Sequence, residues 1–125
     1  MPYDYAIDQR IGRIHVRVVG LRSYAEIVGL IRSILEDPLY RATHDVLADL
    51  CEQRYTPRLE EAWSLAQLLG SIRPAITGRV ALLLRPRFGY GVANQVAAFA
   101  ASAGVAMRPF TLRLDAERWL DEGRG

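Results

Sequence analysis

Lysine is absent from this 125-residue chain, whose 16 basic residues are all arginines. The absence excludes a Schiff-base lysine and the lysine of a phosphate-binding P-loop. The arginines are spread along the chain and the formal net charge is only +2, whereas nucleic-acid-binding proteins usually have a cluster of basic residues. We therefore expect no nucleic-acid partner.

Cysteine and histidine are almost as scarce. Cys51 is the only cysteine, so no internal disulfide can form. His15 and His44 are the only histidines, and their spacing resembles no zinc site, so we expect no bound metal. A lone thiol without a histidine nearby in sequence is usually inert. With no nucleophile elbow and no paired carboxylates in a defined context, we expect no catalytic residues, no cofactor and no enzyme.

Long apolar runs are also missing. The longest, such as residues 80–84, fall far short of the roughly 20 residues that a membrane span needs, so we expect no membrane insertion. The first residues do not pair a basic segment with an apolar one, which favours the cytoplasm over export. The length suits a single domain over residues 1–125, and the 50% apolar content suits a packed core.

The first two elements are strands, because apolar and polar residues alternate from Tyr3 to Ile7 and again from Arg13 to Val18. The short link between them predicts an antiparallel hairpin. This hairpin would place two acidic residues opposite three basic ones, so that the charges satisfy one another: Asp4 and Asp8 opposite Arg13, His15 and Arg17.

Helices and strands then alternate. Ser23 with Glu26 forms a capping-box pattern before a helix over residues 24–36. The remaining predicted elements are strand 46–50, a helix with Thr56 as N-cap that ends near Gly70, strand 79–85, helix 90–103 closed by Gly104, strand 105–110 and a final helix capped by Asp115. The order β-β-α-β-α-β-α-β-α predicts an α/β domain with a mainly parallel five-stranded sheet and an antiparallel N-terminal strand.

Four segments in this order carry a resemblance to a known family: Asp37-Pro38-Leu39-Tyr40-Arg41, Leu47-Ala48-Asp49-Leu50, Tyr90-Gly91-Val92-Ala93 and Trp119-Leu120. The chain resembles the SpoIIAA-like family of the STAS and CRAL-TRIO (Sec14-like) superfamily. The resemblance implies a β-α superhelix and a non-enzymatic role in binding a partner or an apolar ligand. In the STAS anti-sigma antagonists a serine at the start of helix two is phosphorylated to switch partner binding, and Thr56 stands at the comparable position here.

Two groups of residues are candidates for a binding site. The first follows the central strand, where open α/β sheets bind ligands: Asp49, Glu52, Arg54, Thr56 and Arg58. The second joins a strand to a helix N-terminus, where backbone N–H groups and arginines favour an anion: Arg85, Arg87, Gly89, Tyr90, Gly91 and Asn94. The glycines there approach a dinucleotide fingerprint but lack its third glycine, and a tight turn with solvated arginines explains them equally well.

The strand at residues 80–84 is apolar on both faces, although a β-α superhelix covers mainly one face of its sheet with helices. A second subunit, an N-terminal segment or an apolar ligand would cover the other face. We favour a homodimer, because isologous dimers are the commonest oligomers.

The leading functional hypothesis is a regulatory module that binds a protein partner through residues 52–58 and the start of helix two. The alternative is a carrier or sensor of a lipid or other apolar anionic molecule, whose head group would meet the arginines near Gly89. An unrecognised enzyme is the third hypothesis and would depend on Asp49, Cys51 or Glu52.

Overall fold

The computed structural model describes residues 2–86 and 90–124. Over these residues the chain order is β-β-α-β-α-β-α-β-α, as the sequence predicts. The strands are β1 (Tyr3–Asp8), β2 (Arg13–Val18), β3 (Asp45–Asp49), β4 (Val80–Leu83) and β5 (Met107–Phe110). The helices are α1 (Tyr24–Glu36), α2 (Leu59–Gly70), α3 (Tyr90–Ser102) and α4 (Arg113–Glu122). None of these helices is long and apolar enough to cross a membrane.

The sheet has the predicted form, with strands in the order β1-β2-β3-β4-β5. The pair β1–β2 is antiparallel, and every other neighbouring pair is parallel. The predicted hairpin register is also correct, since Asp4 lies opposite Arg17 and Asp8 opposite Arg13.

The charges of the hairpin, however, do not pair as predicted. Arg13 donates to Asp45 and Asp121, and Arg17 donates to Glu52. Parallel pairing explains the difference, because β3 brings Asp45 beside Arg13 on the interior side of β2, whereas β1 lies at the edge of the sheet.

The sheet has two covered faces. On the inner face, α1 packs against Ile14, Val16 and Val18 of β2, while α2 and α3 pack against Val80 of β4 and its neighbours. On the outer face, Leu47 and Ala81 are buried beneath α4. The cover that the apolar β4 strand requires therefore comes from α4 of the same chain. A second subunit is therefore not needed to cover this strand, and the homodimer itself stays a prediction.

Arginine contacts hold α4 in place at several points. Arg13 reaches Asp121 at 2.8 Å, and Arg113 at the start of the helix reaches Asp49 at 3.1 Å. Arg79 donates to the backbone oxygen of Trp119 at 2.7 Å and lies over its ring. These contacts anchor both ends of α4 to the sheet.

The helix ends agree only partly with the sequence pattern. Ser23 caps α1 by accepting from the Glu26 N–H, and Gly104 follows α3 with a φ of +89°, as expected of a helix terminator. The predictions for Thr56 and Asp115 are wrong, because α2 begins only at Leu59 and α4 begins before Asp115. Instead, the Glu61 carboxylate accepts from the Arg58 N–H at the start of α2.

Candidate functional site

A cavity of about 230 Å³ lies between the inner face of the sheet and helices α1 to α3. Its floor consists of inward-facing strand residues: Ile14, Val16, Val46, Ala48, Val80 and Leu82. Protein interiors normally have few voids larger than a water molecule. A space of this size under three helices is therefore an unusual feature of the core.

The position of α1 accounts for much of this space. The helix carries a long apolar stripe, yet Leu30 alone is buried among its 13 residues, all of which are described. Ile27, Ile31, Ile34 and Leu35 are only partly buried and line the cavity. The apolar face of α1 thus looks onto the cavity and does not close fully on the sheet.

Two tyrosines of the edge strand connect the far end of α1 to the sheet. The Tyr5 hydroxyl donates to the Ser33 carbonyl oxygen at 3.2 Å and to Asp37 Oδ2 at 2.9 Å. The Tyr3 hydroxyl lies 3.4 Å from Ser33 Oγ. In both contacts the hydroxyl at the tip of a tyrosine meets α1 or the residue that follows it. The tyrosine side chains therefore span the distance between β1 and this end of α1.

The loops at the carboxyl ends of the strands form another wall. The Gln53 side chain accepts from the Leu21 N–H at 3.1 Å and donates to the carbonyl oxygens of Leu21 and Tyr55. These bonds join the loop before α1 to the loop before α2. Gln53, Tyr55, Thr56 and Pro57 all line the cavity at this end.

Polar groups are few and lie near the two ends of the cavity. Tyr40 and His44 line it before β3 begins, and the segment 53–57 lines it after β3 ends. No arginine, aspartate or glutamate of residues 2–86 or 90–124 contributes to the lining. The cavity therefore offers apolar contacts and a few polar groups, which is the lining typical of a small-molecule site.

The first predicted site group lies mostly outside this cavity. Asp49 accepts from the Cys51 N–H at 3.0 Å, and it also pairs with Arg113. Glu52 pairs with Arg17 on the surface, and the side chains of Arg54 and Arg58 are exposed. Thr56 is the member of this group that lines the cavity.

The described members of the second predicted group do not line the cavity either. Arg87 and Gly89 lie outside the described residues, and Arg85, Gly91 and Asn94 are exposed. Tyr90 lines a separate cleft of about 330 Å³ between β5 and α4, together with residues of both charges: Arg108, Asp115, Arg118 and Glu122. The described members of the two groups therefore do not form one site.

Cys51 is half-buried, and its thiol Sγ lies 3.9 Å from the carbonyl oxygen of Leu83. Burial raises the pKa of this thiol, and the neighbouring Asp49 raises the pKa further. Since the thiolate is the reactive form, these surroundings disfavour a nucleophilic cysteine.

Sequence reasoning missed the cavity because it searched for polar and charged side chains. Two features of the sequence could have indicated the cavity. Helix α1 has more large apolar residues than one packed face of a helix needs, and the small residue Ala48 lies opposite it at the centre of the sheet. A small residue between large ones leaves space when the facing helix is held at a distance.

A comparison with solved structures relates this arrangement to a known architecture. A protein of the DUF3478 family with a SpoIIAA-like fold, from Shewanella loihica PV-4, aligns with a TM-score of 0.59 and 19% identity. The alignment covers 94% of this chain and 93% of that chain. No family model matches the sequence, and no match was found among curated proteins. The likeness confirms the SpoIIAA-like fold expected from the sequence. The wider link to the CRAL-TRIO group stays a prediction.

Proposed function

We propose that this chain is a binding domain of the STAS type, without catalytic activity, whose cavity takes a small apolar molecule. The observation that carries the proposal is the cavity beneath α1, with its almost wholly apolar lining. Of the functions that the sequence suggested, this geometry supports the small-molecule carrier or sensor better than the protein-interaction module.

The size of the cavity supports a ligand. Leaving so large an apolar space unfilled is unfavourable, because the side chains that line it lose packing contacts. An apolar cavity of about 150 Å³ is large enough to bind benzene. The ligand would therefore be somewhat larger than benzene, and its binding would offset much of the cost.

The experiment uses the neutral fluorescent probe N-phenyl-1-naphthylamine. Ala48→Leu places a larger side chain on the cavity floor, and we expect it to weaken probe binding at least about tenfold. Ala98→Leu makes the same change on the exposed side of α3 and serves as the matched control. Equal probe affinity in the wild type and both variants would contradict binding in this cavity.

Native mass spectrometry beside the denatured intact mass provides an independent test. The carrier hypothesis predicts extra mass that is lost on denaturation in the wild type and reduced in Ala48→Leu. The same spectra report the subunit count, and so they test the predicted homodimer as well.

A protein partner remains the second candidate, because α2 exposes two large apolar side chains close to the predicted contact segment 52–58. Leu59 is 60% exposed and Trp63 is 50% exposed. We expect Leu59→Ala with Trp63→Ala to lose a partner protein, with a loss of stability of about 1 kcal/mol because Trp63 meets Phe99 edge to face. A pull-down that recovers the same proteins with this double variant as with the wild type would contradict an interface on α2.

A further inference from the structure

The Tyr40 hydroxyl differs from the other tyrosine hydroxyls around α1 in its hydrogen bonding. Tyr3, Tyr5 and Tyr55 each have a partner for the hydroxyl, in Ser33, Asp37 and Glu61. Among the residues that the structure describes, the Tyr40 hydroxyl is the one buried side-chain nitrogen or oxygen without a hydrogen-bond partner. An unsatisfied buried donor is unfavourable, and native proteins seldom retain one without a reason.

Tyr40 lines the cavity, and so does the neighbouring His44. The two rings meet edge to face with 6.4 Å between their centroids. His44 is buried, and its Nδ1 accepts from the Arg41 N–H at 3.3 Å, which leaves Nε2 as the ring nitrogen that is able to donate. This end of the cavity therefore carries two side chains that are able to donate hydrogen bonds.

Gly78 allows two backbone segments to pack closely together at the end of the cavity that carries His44. A Cβ atom added at Gly78 would lie 2.1 Å from the His44 carbonyl oxygen, so only a glycine allows the backbone before β4 to pass so close. The segment that carries His44 is thus held against a second strand, and its ring has a defined position in the cavity wall.

The lining also limits the charge of the ligand. No arginine of the described ranges lines the cavity, and the one basic side chain of the lining there, His44, already uses its Nδ1 to accept from the Arg41 N–H. A buried carboxylate or phosphate would therefore have no arginine or lysine to pair with. Burying an unpaired charge is far more costly than burying a hydrogen-bonded neutral group.

We infer that Tyr40 is a specificity-determining residue of the cavity. Tyr40 lines the cavity but neighbouring atoms cover its hydroxyl, so a ligand that displaces this cover would accept a hydrogen bond from the hydroxyl at a single oxygen, on an otherwise apolar, uncharged molecule. The inference rests on the proposed function and adds the chemical class of the ligand to it. The ligand would be a neutral alcohol, ketone or comparable molecule, and not the anionic molecule expected from the sequence.

The experiment compares three competitors that displace N-phenyl-1-naphthylamine at neutral pH: 1-naphthol, 1-methylnaphthalene and 1-naphthoate. One has a neutral hydroxyl, one has no polar atom and one has a negative charge. For the wild type we expect 1-naphthol to bind between about threefold and tenfold more tightly than 1-methylnaphthalene, the range that one net hydrogen bond provides. We expect 1-naphthoate to bind more weakly than 1-naphthol.

The decisive variant is Tyr40→Phe, which removes the hydroxyl and keeps the ring. It should bind 1-naphthol and 1-methylnaphthalene with nearly equal affinity, while the affinity for 1-methylnaphthalene stays at the wild-type value. Tyr3→Phe is the matched control, since it removes a hydroxyl that lies beside Ser33 Oγ, and it should keep the wild-type preference.

Each contrary result has a distinct meaning. A wild-type preference for 1-naphthol that persists in Tyr40→Phe would overturn the role of Tyr40 and leave the cavity as the binding site. Equal affinity for 1-naphthoate and 1-naphthol would overturn the neutral ligand class. Failure of the wild type to bind the probe and all three competitors would overturn the proposed function itself.

Discussion

Arg13 and Asp45 form a buried ion pair between directly opposite positions of the parallel strands β2 and β3. Arg13 Nε lies 2.8 Å from Asp45 Oδ1, and each side chain is only 5% exposed. Asp45 also accepts from Arg124, and Arg13 also donates to Asp121. The pair therefore connects the central sheet to both α4 and the residues after it.

Removing the positive charge from this pair should strongly destabilise the protein. Arg13→Met leaves Asp45 buried with less compensation, and we expect a loss of about 3 to 5 kcal/mol in the free energy of unfolding. Arg17→Met is the matched control, because the Arg17–Glu52 pair is 55% and 53% exposed and solvent screening leaves it little contribution to stability. Urea denaturation measures both values, and similar losses in the two variants would contradict the structural role of the buried pair.

Two glycines should respond in opposite directions to the same substitution. Gly29 lies inside α1, and a Cβ atom there would meet nothing within 4 Å, so Gly29→Ala should raise the free energy of unfolding by about 1 kcal/mol. Gly78→Ala should lower it by about 3 kcal/mol, because the new Cβ atom would collide with the backbone of His44. Urea midpoints that change in the same direction would contradict this reading of the two positions.

Glu61 should make stability depend on pH in the acid range. Its carboxylate accepts from the Tyr55 hydroxyl and the Arg58 N–H, and these bonds lower the pKa of Glu61 below its ordinary 4.5. The unfolded chain then binds the proton more readily than the folded protein does. The contribution of Glu61 to stability is therefore fully present when the pH is above 4.5, the ordinary pKa of a glutamate. It is lost as the pH falls through the lower pKa of the folded state.

Two variants test this dependence. Glu61→Gln should lose less stability than the wild type between about pH 6 and about pH 3, as measured by urea midpoints. Tyr55→Phe removes the hydrogen bond that lowers the pKa of Glu61 most. Like Glu61→Gln, it should therefore lose less stability than the wild type when the pH is lowered. An unchanged slope in Glu61→Gln would show that this carboxylate does not contribute.

The Cys51 thiol should be less reactive in the folded protein than in the unfolded chain. Burial raises its pKa, so less thiolate is present at neutral pH. The rate of alkylation by iodoacetamide, measured with and without urea, checks this expectation. A faster reaction in the folded protein would reveal an activated thiol and would favour the enzyme hypothesis.

Local patterns predicted most of the fold. The helical spacing of apolar residues and the cap at Ser23 locate α1 at its observed bounds, and alternation locates the hairpin in its observed register. These features depend on neighbours a few residues apart, which the sequence displays directly. The starts of α2 and α4 were harder to predict, because Thr56 and Asp115 are good caps by type but the backbone turns into the helix elsewhere.

The candidate site was much less predictable. Thr56 was correctly included, whereas Tyr40, His44 and Ala48 were not proposed as site residues. Sequence patterns mark charged and glycine-rich segments as candidates, but an apolar cavity is lined by the same residue types as an ordinary core. Nothing in the type of these residues separates the two.

The sequence by itself therefore determined the order of the elements, the residues that form each apolar stripe and the class of fold, because each follows from local periodicity. The tertiary structure decided how far α1 stands from the sheet, that α4 covers the outer face, and that Arg13 meets Asp121. These depend on side-chain lengths such as those of Tyr3 and Tyr5 and on contacts between distant segments. The distance between packed layers, and with it the cavity, is a property of the assembled fold.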